Sequence, residues 1–177
     1  CTSMQPPAAP PLFADARFAP PREKVGADDL FTLSPAMRAY LNSQSFTIAL
    51  RQQGQRHGLV AALYSKSDLK LEYESSKTRT AAETYADRSG NCLSLVIMTA
   101  AFAKELGMPV RYRSVDVEDT WSRTAGLYLA SAHVNISLGN RLDSGVRTSD
   151  QDTMLLVDFI PQNEASRLRA RELDEED

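Results

Sequence analysis

The sequence predicts an α+β domain in which several helices precede the strands of an antiparallel sheet. Apolar residues recur with helical spacing in much of the chain up to about residue 106. Three runs of strand type follow, over residues 110–117, 133–138 and 154–160. Because helices and strands occupy separate parts of the chain, we expect a sheet packed against a layer of helices. A chain of 177 residues, 42% of them hydrophobic, suffices for one core, so a single domain is expected.

The first helices are indicated by their start and stop signals. Ser34 can cap a helix whose first turn holds a proline, where the missing N–H removes no helical hydrogen bond. A second amphipathic pattern covers residues 45–55. Gly54 and Gly58 indicate its frayed end and the start of a short segment, LVAALYSKS.

A short strand and a third helix are predicted next. The stretch LKLEY, residues 69–73, alternates apolar and polar residues, which predicts a strand with its apolar residues on one face. Thr80 and Glu83 have the spacing of a capping box, in which each side chain binds a backbone N–H of the same first turn. A helix over about residues 81–88 should follow.

The most apolar helix is predicted over residues 92–106, and it begins with a cysteine. Its apolar residues lie around nearly the whole circumference, which is typical of a helix buried on several sides, and Gly107 supplies a stop. Cys92 therefore lies in the first turn, where free backbone N–H groups and the positive end of the helix dipole favour a thiolate. The same groups could bind the oxyanion formed when sulfur attacks a carbonyl. The alternative is a cysteine that only packs, since free cysteine is among the most buried residue types.

Only two histidines are available as a base for such a thiol. His57 lies at a predicted helix end, where a structural role or a surface position explains it. His133 shares one face of its strand with Asn135 and Ser137, while the opposite face is apolar. A catalytic imidazole also needs an acceptor on its far nitrogen, and Asp158 lies inside the last apolar strand, where a carboxylate is costly to bury unless it is paired. The alternative is that Asp158 faces water from an edge strand.

Cys92, His133 and Asp158 together outline a nucleophile, a base and a residue that orients the base. With these residues, the region 69–161 resembles the transglutaminase-like superfamily, whose fold is related to that of papain. The resemblance rests on the cysteine helix in RSGNCLSLVIMTAAFAKELGMPVRYRSV, the histidine strand HVNISL and the aspartate strand LLVDFI. The expected fold is thus a transglutaminase-like (papain-like) core, with N-terminal helices and a central helix bearing Cys92 packed on the antiparallel sheet.

The resemblance implies acyl transfer through a thioester on a protein or peptide substrate, with no cofactor. Cys92 would attack a carboxamide or peptide carbonyl, His133 would protonate the departing amine, and Asp158 would hold His133. Water or a second amine would then release the acyl group, so hydrolysis and cross-linking both remain open.

Two departures from the family pattern concern substrate binding. Many family members have an aromatic residue soon after the histidine and a proline directly after the aspartate, whereas this chain reads HVNI and DFIP.

Three segments are expected along the chain: a proline-rich tether over 1–22, a transglutaminase-like domain over 23–163, and a polar, acidic tail or linker over 164–177. Six of the nine prolines fall in the first segment, which opens with Cys1. This pattern is typical of a bacterial lipoprotein whose signal peptide has been removed and whose first cysteine carries lipid. We therefore expect a protein anchored to a membrane of the bacterial cell envelope and facing the periplasm. The alternative is that the chain was simply cut at this point.

Several other classes of function are disfavoured. With 20 Lys and Arg against 23 Asp and Glu, the net charge of −3 does not provide the attraction that holds nucleic acid. Zinc-site spacings, the calcium-loop pattern and the GxSxG turn of serine hydrolases are missing from the sequence, so no metal is expected. No run approaches the ~20 apolar residues that span a bilayer. The main alternative to an enzyme is a non-catalytic module that keeps the fold and acts by binding a protein partner.

Overall fold

The computed structural model describes residues 19–20, 26–65, 69–124, 127–139, 154–159 and 169–173. In these ranges the helices are α1 (Ala27–Leu30), α2 (Pro35–Leu41), α3 (Gln44–Gln53), α4 (Gln55–Tyr64), α5 (Ala81–Asp87) and α6 (Cys92–Glu105). The strands are β1 (Glu72–Tyr73), β2 (Ser89–Gly90), β3 (Val110–Thr124), β4 (Leu127–Leu138), β5 (Leu155–Val157) and β6 (Arg169–Leu173). The helices precede the long strands, and the α+β class is confirmed.

The strands after α6 form an antiparallel sheet in the order β5–β4–β3–β6. β3 and β4 make a long hairpin with a shift of register between Val115 and Thr120. Both strands extend beyond the predicted ranges 110–117 and 133–138, because backbone pairing along a hairpin continues where the sequence has no apolar alternation. β5 is shorter than the predicted range 154–160 and ends at Val157.

Helix α6 lies at the centre of the core. Every residue from Ser94 to Ala103 is buried, and the helix packs against both α5 and β4. The hydroxyl of Thr99, which is fully buried, donates a hydrogen bond of 2.7 Å to the backbone carbonyl of Leu95, so its burial leaves no unpaired donor. The predicted burial of this helix on several sides is confirmed.

Two predicted helix starts have the expected side-chain caps. The Ser34 hydroxyl accepts a hydrogen bond from the Met37 N–H at 3.3 Å, at the start of α2. At α5, the Glu83 N–H donates to the Thr80 hydroxyl at 3.3 Å, and the Thr80 N–H donates to the Glu83 carboxylate at 2.9 Å. The capping box predicted from this spacing is therefore present.

The segment after Gly54 is the helix α4, whereas the sequence predicts only a short segment there. Gly54 has a φ of +79°, which glycine adopts without strain, and this lets the chain leave α3 and enter α4 at once. Gly58 lies inside α4, and a Cβ atom on it would come within 2.9 Å of the Leu50 Cα. The sequence predicts the end of a helix near Gly58. In the structure Gly58 lies within a helix, and its small size permits α3 and α4 to pack closely.

The strand predicted over 69–73 is reduced to Glu72 and Tyr73. Lys70 has a φ of +48°, so the extended backbone that alternation requires is broken there. As a result Leu69 is buried while Tyr73 is largely exposed, and the two do not share one buried face. β1 pairs in parallel with β2, which sets Tyr73 opposite Gly90.

Part of the segment predicted as a tail or linker over 164–177 belongs to the sheet. Residues 169–173 form β6, which pairs antiparallel with β3 over five residues. An edge strand is held by backbone hydrogen bonds on one side only and tolerates charged residues, so its polar composition concealed it. The expectation of a tail is wrong for these five residues.

The N-terminal predictions concern residues that lie almost entirely outside the part of the chain that the structure describes. Of the predicted tether over 1–22, the structure describes residues 19 and 20, and both are exposed. Cys1 lies outside the described residues, so its lipid remains a prediction. None of the described helices has both the length and the apolar character needed to cross a membrane.

Candidate active site

Cys92 is the first residue of α6, and its thiol is free and half-buried. The preceding residue, Asn91, caps the helix: its side-chain oxygen accepts a hydrogen bond from the Ser94 N–H at 2.9 Å. The Asn91 amide also donates to the Thr78 hydroxyl at 2.9 Å. A Cβ atom at Gly90 would lie 2.7 Å from the Ser94 Cβ, so only glycine lets the chain enter the helix along this path. The backbone on both sides of the thiol is therefore well fixed.

A polar network ties this helix start to the loop before α5. The Ser94 hydroxyl donates to the Asn91 side chain at 2.8 Å and accepts from the Arg79 N–H at 2.8 Å. The Arg79 guanidinium, only 12% exposed, binds Glu74 at 2.7 Å and Asp87 at 2.8 Å. Arg79 thus joins three segments: the residue after β1, the end of α5 and the first turn of α6, which begins with Cys92.

The structure brings His133 and Asp158 into direct contact. His133 lies on β4 and is 2% exposed, and its Nε2 atom is 2.7 Å from Asp158 Oδ1. The other carboxylate oxygen accepts a hydrogen bond of 3.2 Å from the Asn135 amide. Asp158 directly follows β5, and β5 pairs with β4 through Val157 and Ile136, which places the carboxylate beside the imidazole. Among the described strands β5 lies at the edge of the sheet, yet Asp158 contacts His133, so the alternative of a water-facing carboxylate does not hold.

Cys92 and His133 shift each other's pKa toward a charged pair. Burial alone raises the pKa of the Cys92 thiol, but its interactions with His133 and with the backbone of Val134 and Leu93 outweigh this effect, and the pKa is lowered. Burial alone lowers the pKa of His133, but its interactions with Cys92 and Asp158 raise it by more. Both shifts favour a thiolate beside an imidazolium.

The second ring nitrogen of His133 is left for the thiol. Nδ1 is buried and makes no hydrogen bond of standard geometry to the described residues. Because Asp158 occupies Nε2, Nδ1 is the nitrogen that can exchange a proton with Cys92. The three residues singled out in the sequence therefore meet at one place, in the order carboxylate, imidazole, thiol.

A residue that the sequence patterns did not single out also lies at the thiol. The phenol of Tyr73 interacts with both the backbone N–H and the sulfur of Cys92. Burial is the main cause of the raised pKa of Tyr73, and the neighbouring Cys92 adds to it. The contact depends on the parallel pairing of β1 with β2, which sets Tyr73 opposite Gly90, two residues before Cys92. No local sequence signal encodes that pairing, so only the fold reveals Tyr73.

The remaining candidate groups take no part in this site. His57 is exposed in the first turn of α4, in agreement with its prediction as a surface residue. Within the described ranges, no cluster of three or more His, Cys, Asp or Glu side chains could hold a metal ion. The chemistry that the described residues support is nucleophilic attack by sulfur, with proton transfer through the imidazole.

No protein-family model matches the chain, and no curated protein matches it. Among solved structures, the chain is similar to a candidate cysteine protease from Cytophaga hutchinsonii, with 16% sequence identity and a TM-score of 0.32. The match covers 83% of this chain and 61% of that protein, so the chain spans about three fifths of its length. A likeness this slight defines neither fold nor site, which rest on the contacts described above.

Proposed function

We propose that this protein is a transglutaminase-like cysteine enzyme that transfers acyl groups, or hydrolyses amide or peptide bonds, through a thioester on Cys92. One arrangement carries the proposal. Asp158 binds one ring nitrogen of His133, and the interaction of Cys92 with the imidazole helps to lower the pKa of the thiol. This arrangement supplies a nucleophile, a base and a residue that orients the base. The substrate class is a protein or peptide with an accessible amide.

Acylation follows from the positions of these groups. The Cys92 thiolate attacks the carbonyl carbon of the amide, and the electron pair of the carbonyl moves onto oxygen. The Cys92 N–H, which contacts the Tyr73 phenol in the free protein, can donate a hydrogen bond to that oxyanion when the substrate takes the place of the phenol. The intermediate then collapses, the C–N bond breaks, and the amine leaves with a proton from the His133 imidazolium. The product is a thioester between the acyl group and the Cys92 sulfur.

Deacylation uses the same residues in reverse. Neutral His133 takes a proton from water or from a second amine, which attacks the thioester carbon and releases the thiolate. Water yields hydrolysis, and an amine yields cross-linking. The choice between them depends on which acceptor reaches the thioester, and both reactions share the step in which Cys92 becomes acylated.

The pH dependence of Cys92 alkylation by iodoacetamide tests this proposal. Because the chain has a second cysteine, Cys1, modification is measured by mass spectrometry on the peptide that contains Cys92. We expect fast labelling well below pH ~8.5, the ordinary thiol pKa, since the pKa of Cys92 is lowered. In a His133→Ala variant the imidazole is lost, so the inflection should move up toward about 8.5.

The matched control is His57→Ala, which removes an exposed histidine on α4 and should leave the labelling profile of Cys92 as in the wild type. A wild-type profile with its inflection near 8.5, unchanged by His133→Ala, would contradict the enzymatic proposal. The non-catalytic binding module would then be the better account of the chain.

A further inference from the structure

A pocket of about 460 Å³ lies beside the candidate site, and we call it the α4–β1 pocket. Its apolar and aromatic lining comes from four parts of the chain: Leu63 and Tyr64 on α4, Leu71 and Tyr73 at β1, Leu95 on α6, and Phe159 directly after Asp158. Its volume falls in the lower part of the ~300–1,000 Å³ range that is usual for small-ligand sites. The pocket is therefore large enough for one bulky side chain.

One wall of the α4–β1 pocket is continuous with the thiol. Tyr73 lines the pocket, and its phenol also contacts Cys92. Leu95 follows Cys92 by three positions on α6, and residues with this spacing lie on the same face of a helix. Tyr73 and Leu95 therefore connect the lining of the pocket to the residue that carries the sulfur.

Another part of the lining adjoins Asp158. The Tyr64 hydroxyl donates a hydrogen bond to the backbone carbonyl of Asp158. The Tyr64 ring stacks on Phe159, with ring centroids 5.7 Å apart. Asp158 contacts His133 while the next residue lines the pocket, so the α4–β1 pocket and the candidate triad share one stretch of chain.

The lining favours an uncharged occupant. Tyr64 and Tyr73 are 52% and 57% exposed, and covering such rings removes a large apolar area from water. The two charged residues that line the pocket, Lys70 and Glu72, are both exposed and of opposite sign. An ionised side chain placed among the apolar residues would lose its hydration and could pair only with the exposed Lys70 or Glu72, where solvent weakens the ion pair.

We propose that the α4–β1 pocket binds one apolar side chain, aliphatic or aromatic, of the protein or peptide substrate, next to the amide that Cys92 attacks. This inference rests on the proposed function and narrows its substrate class. Peptide amides flanked by a residue such as leucine or phenylalanine are then preferred over those flanked by charged residues.

A series of alkylating reagents tests the pocket on the full chain. Rates of Cys92 modification are measured with iodoacetamide and with its N-butyl, N-(2-phenylethyl) and N-carboxymethyl derivatives, each divided by the rate with N-acetylcysteine. The butyl and phenylethyl reagents should react about 10-fold faster than iodoacetamide or more, since one hydrophobic group in a fitted pocket discriminates on this scale. The carboxymethyl reagent should show no gain.

Two variants test whether the α4–β1 pocket causes the faster labelling by apolar reagents. Leu71→Trp fills the pocket from a half-buried position. It should reduce the gain, which is the rate with an apolar reagent divided by the rate with iodoacetamide, toward 1. The matched control is Ile48→Trp, which replaces an exposed aliphatic residue on α3 outside the pocket lining and should keep the wild-type gain. If Leu71→Trp does not fold, the reagent series on the wild type decides by itself.

The outcomes separate this inference from the function on which it rests. Fast, low-pH labelling by iodoacetamide with no gain from apolar groups overturns the pocket and leaves the enzymatic proposal intact. A gain that persists in folded Leu71→Trp also overturns it. Labelling by iodoacetamide with the inflection of an ordinary thiol rejects both.

Discussion

At the scale of single residues, the partner of each nitrogen decides what His133 can do. Asp158 Oδ1 lies 2.7 Å from Nε2, and Asn135 holds the other carboxylate oxygen at 3.2 Å, so the carboxylate has little freedom to turn. A carboxylate accepts hydrogen bonds only, which places the proton of a neutral ring on Nε2. Nδ1 then carries the lone pair that can receive the thiol proton.

Asp158→Asn should therefore change the proton position on the His133 ring without changing the stability of the fold. The amide can donate a proton to Nε2, which would move the ring proton to Nδ1 and remove the base that faces Cys92. We expect kcat/KM for hydrolysis of a peptide amide to fall on the order of 10⁴-fold, as when the orienting carboxylate of a serine protease is changed. The melting temperature should change little, because size and hydrogen-bonding capacity are kept.

A conservative control is Asp28→Asn, an exposed carboxylate on α1 that should leave both activity and melting unchanged. A large loss of stability in Asp158→Asn, together with no activity in the wild type, would make Asp158 a structural residue.

The sequence predicted this site only in part. Three residues are distinguished in the sequence by a reactive or charged group at an unusual position. Cys92 is a thiol at a helix start, His133 is an imidazole on one face of a strand, and Asp158 is a carboxylate in an apolar run. Tyr73 fitted its local pattern, so nothing distinguished it. Its place at the sulfur arises from pairing between two-residue strands, which the sequence does not encode locally.

At the scale of elements, the start of α6 controls the position of the nucleophile. Asn91 binds the Ser94 N–H, the Ser94 hydroxyl and the Thr78 hydroxyl, and so fixes the residue directly before Cys92. Ser94 is fully buried, and its hydroxyl has both a donor and an acceptor partner there. Loss of this cap would expose backbone donors and loosen the first turn that carries the thiol.

Asn91→Ala should lower both stability and reactivity. Removal of an N-cap side chain costs about 1 kcal/mol of unfolding free energy, which urea unfolding measures. Labelling of Cys92 at pH 7 should also slow, since the first turn is less well held. Ser43→Ala is the matched control: Ser43 caps α3 by accepting from the Phe46 N–H at 3.3 Å, outside the thiol's surroundings. It should cost similar stability and leave labelling unchanged; equal labelling in both variants would contradict a role for the cap.

Element prediction succeeded where the signal was local. The caps at Ser34 and Thr80 and the apolar surface of α6 are encoded within a few residues, and each was found. The fourth helix was missed because Gly58 serves a tertiary contact with Leu50. β6 was missed because an edge strand needs no apolar face, and its charged residues suggested a solvated tail.

At the scale of the whole molecule, the site forms where the helical layer meets the sheet. α6 carries the thiol, β4 carries the imidazole, and the chain after β5 carries the carboxylate. An aromatic cluster joins the helices around α6: the Tyr40 ring lies 5.1 Å from Phe46 and 6.0 Å from both Tyr85 and Phe102. These contacts link α2, α3, α5 and α6, so the helical layer acts as one support for the nucleophile.

The ion pair of Arg79 with Glu74 makes the stability of the folded state depend on pH. Hydrogen bonds from Ser76, followed by those from Arg79, lower the pKa of Glu74 to about 2 from its ordinary value of 4.5. A carboxylate whose pKa is lower in the folded state stabilises that state above its ordinary pKa. This contribution is lost as the pH falls from about 4.5 toward 2.

Glu74→Gln should therefore melt below the wild type at pH 7, and the difference should shrink as the pH approaches 2. Melting temperatures of both proteins, measured by circular dichroism from pH 7 to pH 2, provide the comparison. Glu105→Gln is the control: it removes an ion pair with Arg38 whose side chains are 40% and 53% exposed, and such pairs contribute little at any pH. A Glu74→Gln difference that stays constant across the range would show that the Arg79 network is insensitive to acid. The first turn of α6 would then owe its stability to the Asn91 cap and the buried Ser94 hydroxyl rather than to the charges around Arg79.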